Sequence, residues 1–133
     1  MSAERKKLIK ELDALWKEII KERANYKSEL SGLPAKPAHP HHSKGKSSHA
    51  LRFDVRGGIC ITAAEHFEAH STDNYEIQTR IREVLRNREG KNIIEILDLQ
   101  RNRTKVNLDI IRLQLKEILQ EIKTKKLQES NEI

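Results

Sequence analysis

The chain has 133 residues, a length that suits a single domain. Hydrophobic residues make up 36% of the sequence and charged residues 35%, so the core is modest and much of the surface is charged. The formal net charge of +6 and the pI of about 9.5 fit an anionic partner, nucleic acid first. A helical protein with a lysine-rich surface would have the same composition.

Cysteine content and hydropathy exclude several classes of protein. Cys60 is the only cysteine, which rules out an intrachain disulfide and a cysteine-rich zinc site. No apolar run is long enough to span a bilayer, and the residues after Met1 lack the apolar core of a signal peptide. We therefore expect a cytoplasmic protein with no membrane partner.

The first segment is predicted to be an amphipathic helix from about Ala3 to about Lys27. Its apolar residues recur at steps of three and four, which places them on one stripe: Leu8, Leu12, Leu15, Trp16, Ile19 and Ile20. Gly32 and Pro34 then disfavour continuation of the helix.

A histidine-rich segment follows the first helix. Residues 34–50 hold all three prolines and four of the six histidines, a composition that also fits a disordered linker. We predict a short edge strand near 38–42, ending at His42, and a basic loop at 43–48. His39 and His49 are expected to be bystanders.

A second strand and a short helix are predicted next. Leu51, Phe53 and Val55 alternate with polar residues, two glycines at 57–58 permit a tight turn, and residues 59–62 form a buried strand. Residues 62–65, with sequence Thr-Ala-Ala-Glu, form a capping box that begins a helix near 63–70.

The last part of the chain is predicted to be helical, over about 73–128. One helix ends at Gly90, which is suited to a helix C-terminus, and a break near 102–104 separates the two helices that follow. The last helix has the spacing of a helix-packing seam: Leu108, Ile111, Leu115, Ile118 and Ile122. That seam can pack within one chain or form a dimer, and the tail from about Leu127 is expected to fray.

The histidine pattern points to metal chemistry. His66 and His70 lie one turn apart on the same face of their helix, opposite the predicted strand that ends in His41 and His42. Three imidazoles in such a strand–strand–helix unit can hold a divalent metal and leave a fourth as a base. Because His41 and His42 point to opposite faces of a strand, one would bind the metal and the other would act as the base.

The order and spacing of three segments resemble the HNH endonuclease family, also called His-Me finger or ββα-metal nucleases. The segments are 41–46, 50–61 and 66–70, and the resemblance covers about residues 37–72. It is similar to the motif of small phage and bacterial HNH proteins and of colicin DNases. It implies an α+β, mostly helical fold, in which one domain over 1–133 embeds a ββα-metal core at 37–72 between N-terminal (3–27) and C-terminal (73–128) helices.

The resemblance also implies an activity and a site. The chain would be a metal-dependent DNA endonuclease of a bacterium or a phage-infected cell, with Mg²⁺ as the working ion and Zn²⁺, Ni²⁺ or Mn²⁺ as substitutes. His41, His66 and His70 would be the metal ligands, and His42 would be the general base. Basic residues that flank the motif would contact phosphates, or would be ordinary surface charge: Lys44, Lys46, Arg52 and Arg56.

Two departures from the family leave alternatives open. Gly57 replaces the motif asparagine, which braces the loop of the base in the family. Either the base is held another way in an active nuclease, or the chain is a catalytically weakened or inactive HNH-fold module that binds DNA or protein. Polar residues replace the two cysteine pairs of many phage relatives, so no structural zinc is expected: Ser28, Ser31, Thr62 and Glu65. A third interpretation is a coiled-coil adaptor with the histidines in a linker.

Overall fold

The computed structural model describes residues 1–71 and 73–131. The protein is mostly helical with one small two-stranded antiparallel sheet, in agreement with the predicted α+β class. The elements, in chain order, are α1 (Ala3–Arg23), β1 (His39–His42), α2 (His49–Arg52), a 3₁₀ turn (Val55–Gly57), β2 (Gly58–Ile61), α3 (Ala63–Ala69), α4 (Tyr75–Glu89), α5 (Ile93–Arg101) and α6 (Leu108–Asn131). In the described part of the chain, no helix is both long and apolar enough to cross a bilayer.

Helix α1 ends at Arg23, before the predicted end at Lys27. Asn25 and Tyr26 have φ values of 55° and 57°, in the left-handed region, where a right-handed helix cannot continue. The chain reverses there, and the amide of Ala35 donates to the carbonyl of Tyr26 at 2.9 Å. Apolar periodicity does not report this reversal, because it depends on the turn that follows.

Helices α1 and α6 pack side by side and run in the same direction. The predicted seam of α6 joins apolar residues of α1, among them Leu12 and Ile19, in one core cluster. Ion pairs join the two helices, and the residue numbers of the partners increase together: Glu11 with Arg112 and Lys116, Glu18 with Lys123, and Glu22 with Lys126. The seam is therefore used within the chain. Helix α6 continues through Asn131, past the tail predicted to fray from Leu127, and residues 132–133 lie outside the described part.

The two strands and helix α3 form a compact strand–strand–helix unit. In the antiparallel pair, His41 lies opposite Ile59 and His42 opposite Gly58, within a residue of the predicted strands. Both halves of the capping box between Thr62 and Glu65 are present, so α3 begins at Ala63 as predicted. Residues 51–55, in which apolar and polar residues alternate, do not form a strand. The Ser48 hydroxyl caps the start of α2, and the Asp54 carboxylate caps the start of the 3₁₀ turn.

Helices α4 and α5 pack against the unit and complete a second core cluster. Asn74 caps the start of α4 by accepting a hydrogen bond from the amide of Ile77 at 3.1 Å, and Gly90 ends the helix with a φ of 108°. Thr72, the last residue of the predicted core at 37–72, lies outside the described residues. The cluster consists of Leu51, Ile59, Ile61, Ala69, Ile77, Ile81, Leu85, Ile93 and Leu97.

Gly58 is required for the close approach of β2 to α1. A Cβ at position 58 would lie 2.7 Å from Cζ2 of Trp16 and 2.7 Å from Cγ1 of Ile20, whereas one at Gly57 meets only Leu97, at 3.4 Å. We expect Gly58→Ala to reduce the free energy of unfolding by about 1–3 kcal/mol. Thermal unfolding should then show a fall in Tm of roughly 5–10 °C, and much less for the control Gly57→Ala. Equal Tm values for the two variants would contradict this packing.

Candidate metal centre

Strand β1 and helix α3 bring three imidazoles together. His41, His66 and His70 each offer one ring nitrogen, and these nitrogens lie within 4.8 Å of one another. The ring centroids of His41 lie 5.2 Å from His66 and 5.1 Å from His70, and those of His66 and His70 are 4.7 Å apart. His41 is buried, His66 is half-buried and His70 is exposed, so the group lies at the mouth of a cleft rather than in the core.

The three imidazoles fit a divalent ion. A tetrahedral ion with nitrogen ligands at about 2.1 Å holds them about 3.4 Å apart, so small ring rotations would close the site. Burial, and then the neighbouring imidazoles, lower the pKa of His41 to about 4, and burial also lowers the pKa of His66. Both rings are therefore neutral at pH 7, as metal binding requires.

His39 contacts this group, although it was predicted to be a bystander. Its Nδ1 lies 2.9 Å from Nδ1 of His66, whose Nε2 lies 3.0 Å from Nε2 of His70. A hydrogen bond to the nitrogen that does not bind metal orients a histidine ligand. The signal in the sequence was the two-residue step from His39 to His41, which places both on one face of β1.

His42 is held separately from the rings of His41, His66 and His70. Its imidazole stacks on Trp16, with ring centroids 3.8 Å apart and planes at 2°. Its Nε2 lies 3.1 Å from the carbonyl oxygen of Arg52. Since a carbonyl only accepts, Nε2 donates and Nδ1 keeps its lone pair. Burial lowers the pKa of His42 to about 4, so the ring is neutral at pH 7.

All four rings line one cleft of about 440 Å³, which His39, Lys17 and Lys46 also line. His42 therefore borders the same cleft as the three grouped imidazoles, although it follows His41 directly in β1. The cleft is thus lined by three imidazoles close enough to bind one ion, by a neutral fourth imidazole, and by two lysines.

The loop around Gly57 is held by two arginines from distant helices. The carbonyl of Gly57 accepts a hydrogen bond at 2.9 Å from the amide of Ser43, the residue after His42. Arg23 donates to the carbonyls of Val55 and Gly58, both at 2.9 Å. Arg88 donates to the carbonyls of Arg56 at 3.0 Å and Gly58 at 2.7 Å. This loop is thus fixed without a side chain at position 57.

Arg23 and Arg88 lie close together, and their positive charges are compensated to different degrees. Burial lowers the pKa of Arg23 to about 10, and the charge of Arg88 contributes to this fall. Arg88 forms ion pairs with Glu29 and Glu89, each at 2.6 Å. With a pKa of about 10 the Arg23 guanidinium remains protonated at neutral pH, so it keeps donating to the loop.

The structure brings one of the four predicted phosphate-contacting residues to the cleft. Lys46 is exposed and lines the cleft, together with Lys17 of α1, which the sequence analysis did not identify. The other three form ion pairs within the chain: Arg52 with Asp13 at 2.6 Å, Arg56 with Asp54 at 2.7 Å, and Lys44 with Asp98 at 3.2 Å. The backbone carbonyl of Arg52, rather than its side chain, contributes to the site through His42.

Hydrogen bonds join the segment at 28–29 to the segment at 60–65. The hydroxyl of Ser28 donates to Glu65 at 2.7 Å, and the amide of Thr62 donates to the same carboxylate oxygen at 2.8 Å. Glu29 accepts from the amide of Cys60 at 2.7 Å, and burial raises the pKa of the Cys60 thiol to about 11. These contacts tie the turn after α1 to the start of α3.

Comparisons of this chain with protein-family models, with curated proteins and with solved structures found no match.

Proposed function

We propose that the protein is a metal-dependent DNA endonuclease that hydrolyses phosphodiester bonds. His41, His66 and His70 would bind one divalent ion, and His42 would act as the general base. The observation that supports this most strongly is that the cleft holds two kinds of histidine. Three imidazoles converge, while a fourth, neutral and fixed in one tautomer, lines the same cleft.

The proposed reaction assigns a proton transfer to Nδ1 of His42. A water molecule attacks phosphorus in line with the leaving oxygen, its proton passes to Nδ1, and the bond to the leaving oxygen breaks. That oxygen then takes a proton from solvent. The hydrogen bond from Nε2 to the Arg52 carbonyl and the stack on Trp16 hold the ring in one orientation. A bound ion supplies positive charge that stabilises the phosphorane and the leaving group.

The resemblance implies Mg²⁺ as the working ion, but the three imidazoles fit Mn²⁺, Ni²⁺ or Zn²⁺ better, and we propose one of these. Three ring nitrogens suit transition metals, whereas Mg²⁺ prefers oxygen ligands and keeps several waters. Open positions around an ion held by three protein ligands leave room for phosphate and water.

A binding module that grips DNA without cutting it is the second candidate. Gly57 favours it, because the position that carries the bracing asparagine in the HNH family has no side chain. The contacts of Arg23 and Arg88 favour the nuclease, because they hold the same loop from outside. The adaptor interpretation is weaker, since the seam of α6 packs on α1 within the chain.

Incubation with supercoiled plasmid distinguishes the two candidates. The protein should convert the plasmid to nicked or linear forms with Mg²⁺, Mn²⁺, Ni²⁺ or Zn²⁺, and chelator should stop the conversion. A gel-shift assay on the same DNA reports binding. Binding without conversion under any ion would favour the binding module and reject the nuclease.

Replacement of Gly57 by the motif asparagine tests how the loop is braced. The resemblance alone predicts that Gly57→Asn raises nuclease activity. We expect no gain, because Arg23 and Arg88 already hold the loop carbonyls and the new side chain must pack beside Leu97. Overpacking should reduce the free energy of unfolding by about 1–3 kcal/mol. Rates of plasmid nicking and Tm, with Gly57→Ala as the size control, check this. A tenfold or greater gain in rate would show that the loop lacks a brace.

A further inference from the structure

The charged residues of α1 are sorted by sign around the helix. At about 100° per residue, four lysines fall within roughly 60° of one another, a set we call the lysine stripe: Lys6, Lys10, Lys17 and Lys21. Glu11, Glu18 and Glu22 lie on a different face, where they pair with cations of α6. Helix α6 therefore neutralises the acidic side of α1 and leaves the lysine stripe uncovered.

Three of the four lysines of the lysine stripe are fully available to an external anion. Lys6, Lys10 and Lys17 are exposed, and within residues 1–71 and 73–131 no carboxylate forms an ion pair with any lysine of the stripe. Asp13, the acidic residue nearest to the stripe around the helix, is bound by Arg52 through two hydrogen bonds of 2.9 and 2.6 Å. The nearest negative charge on α1 is therefore already satisfied.

The lysine stripe leads directly to the cleft. Lys17 lines the cleft with the histidines, and Lys46 from the loop after β1 lines it too. From Lys6 to Lys21 the helix rises about 22 Å, at about 1.5 Å per residue. Duplex DNA rises about 3.4 Å per base pair, so the stripe matches the length of roughly six base pairs.

We propose that the lysine stripe is the surface on which the phosphate backbone of duplex DNA lies, beside the cleft that would cut it. The proposal rests on the proposed function for the identity of the substrate. In this proposal, exposed lysines of α1 contact the phosphates in place of Arg52, Arg56 and Lys44, which form ion pairs within the chain. Lysine contacts to phosphate carry no sequence information, so the stripe positions DNA without selecting a sequence. Trp16 on the same helix stacks on His42. Helix α1 would therefore both bind the DNA backbone and orient the general base.

The test compares two double variants that lose the same charge. Lys10→Gln/Lys17→Gln removes two lysines of the stripe, and the control Lys91→Gln/Lys125→Gln removes two exposed lysines on other elements. Binding to a short DNA duplex is measured by fluorescence anisotropy in chelator, where no cleavage occurs, between about 50 and about 200 mM salt. Each phosphate contact contributes about 0.9 to the slope of log affinity against log salt. The stripe variant should lose about 1.8 of the slope and bind roughly tenfold more weakly.

The control variant should keep the slope and the affinity of the wild-type protein, and circular dichroism should show both variants folded. Equal slopes for the two variants would overturn the proposal. It would also be overturned if vesicles of anionic phospholipid bound as tightly as the duplex, with the same dependence on Lys10 and Lys17. Because binding is measured without cleavage, a protein that binds through the stripe but cuts no DNA refutes only the nuclease. A protein that cuts DNA with stripe-independent binding refutes only this surface.

Discussion

The His42→Ala variant is expected to cleave plasmid DNA about 10²–10⁴-fold more slowly than the wild-type protein, the usual contribution of a positioned general base. Nδ1 of His42 is the acceptor in the proposed reaction, because Nε2 is used by the carbonyl of Arg52. The loss should fall on kcat rather than on KM, since in the proposed arrangement His42 contacts neither the ion nor the DNA backbone. Single-turnover cleavage at saturating protein measures it.

Two controls keep this result interpretable. His49→Ala removes an imidazole that packs beside Phe53, with ring centroids 5.8 Å apart, and is not part of the cleft lining. We expect it to cleave at the wild-type rate. Metal titration of His42→Ala should give the wild-type affinity, and the assay temperature should lie well below its Tm, because Trp16 loses its stacking partner. Unchanged cleavage by His42→Ala would remove it as the base.

The His66→Ala variant is expected to bind Ni²⁺ or Zn²⁺ at least roughly a hundredfold more weakly than the wild-type protein. His66 lies between the other histidines, with Nε2 3.0 Å from His70 and Nδ1 2.9 Å from His39. Its removal leaves two ligands and also frees His39. Loss of a residue that only orients a ligand typically costs 10–100-fold in affinity, so loss of the ligand itself should cost more.

Isothermal titration calorimetry should therefore give a graded series. His39→Ala should bind about tenfold more weakly than the wild-type protein, because it loses only the hydrogen bond to His66. Glu68→Ala, a change on α3 between the two ligands, should bind as the wild-type protein does. Equal affinities for His66→Ala and Glu68→Ala would show that the ion binds elsewhere.

Local patterns in the sequence predicted the parts of the site that are local in structure. The capping box at Thr62 and Glu65 fixes where α3 begins, and the four-residue step then places His66 and His70 on one face. The strands fall within a residue of their predicted positions, His39–His42 and Gly58–Ile61. These signals lie within a few residues of the structure they specify.

The parts that were not predicted depend on residues far apart in the chain. Trp16 appears in sequence only as a core residue of α1, and its stack on His42 follows from how α1 crosses the sheet. Arg23 and Arg88 carry no pattern that connects them to Gly57, yet both hydrogen-bond to its loop. The basic residues near the motif were assigned to phosphate by proximity, but partners such as Asp13 come from other elements. Apolar periodicity predicts which face of a helix is buried, but not which element packs against that face.

The measurement that tests the central claim most directly is anomalous scattering from crystals grown with Mn²⁺ or Zn²⁺. We predict one ion bound by ring nitrogens of His41, His66 and His70, at about 2.0–2.2 Å for a transition metal. His42 should remain stacked on Trp16 with no nitrogen bound to the ion. An ion bound at other residues, or His42 among its ligands in place of His41, would contradict the account.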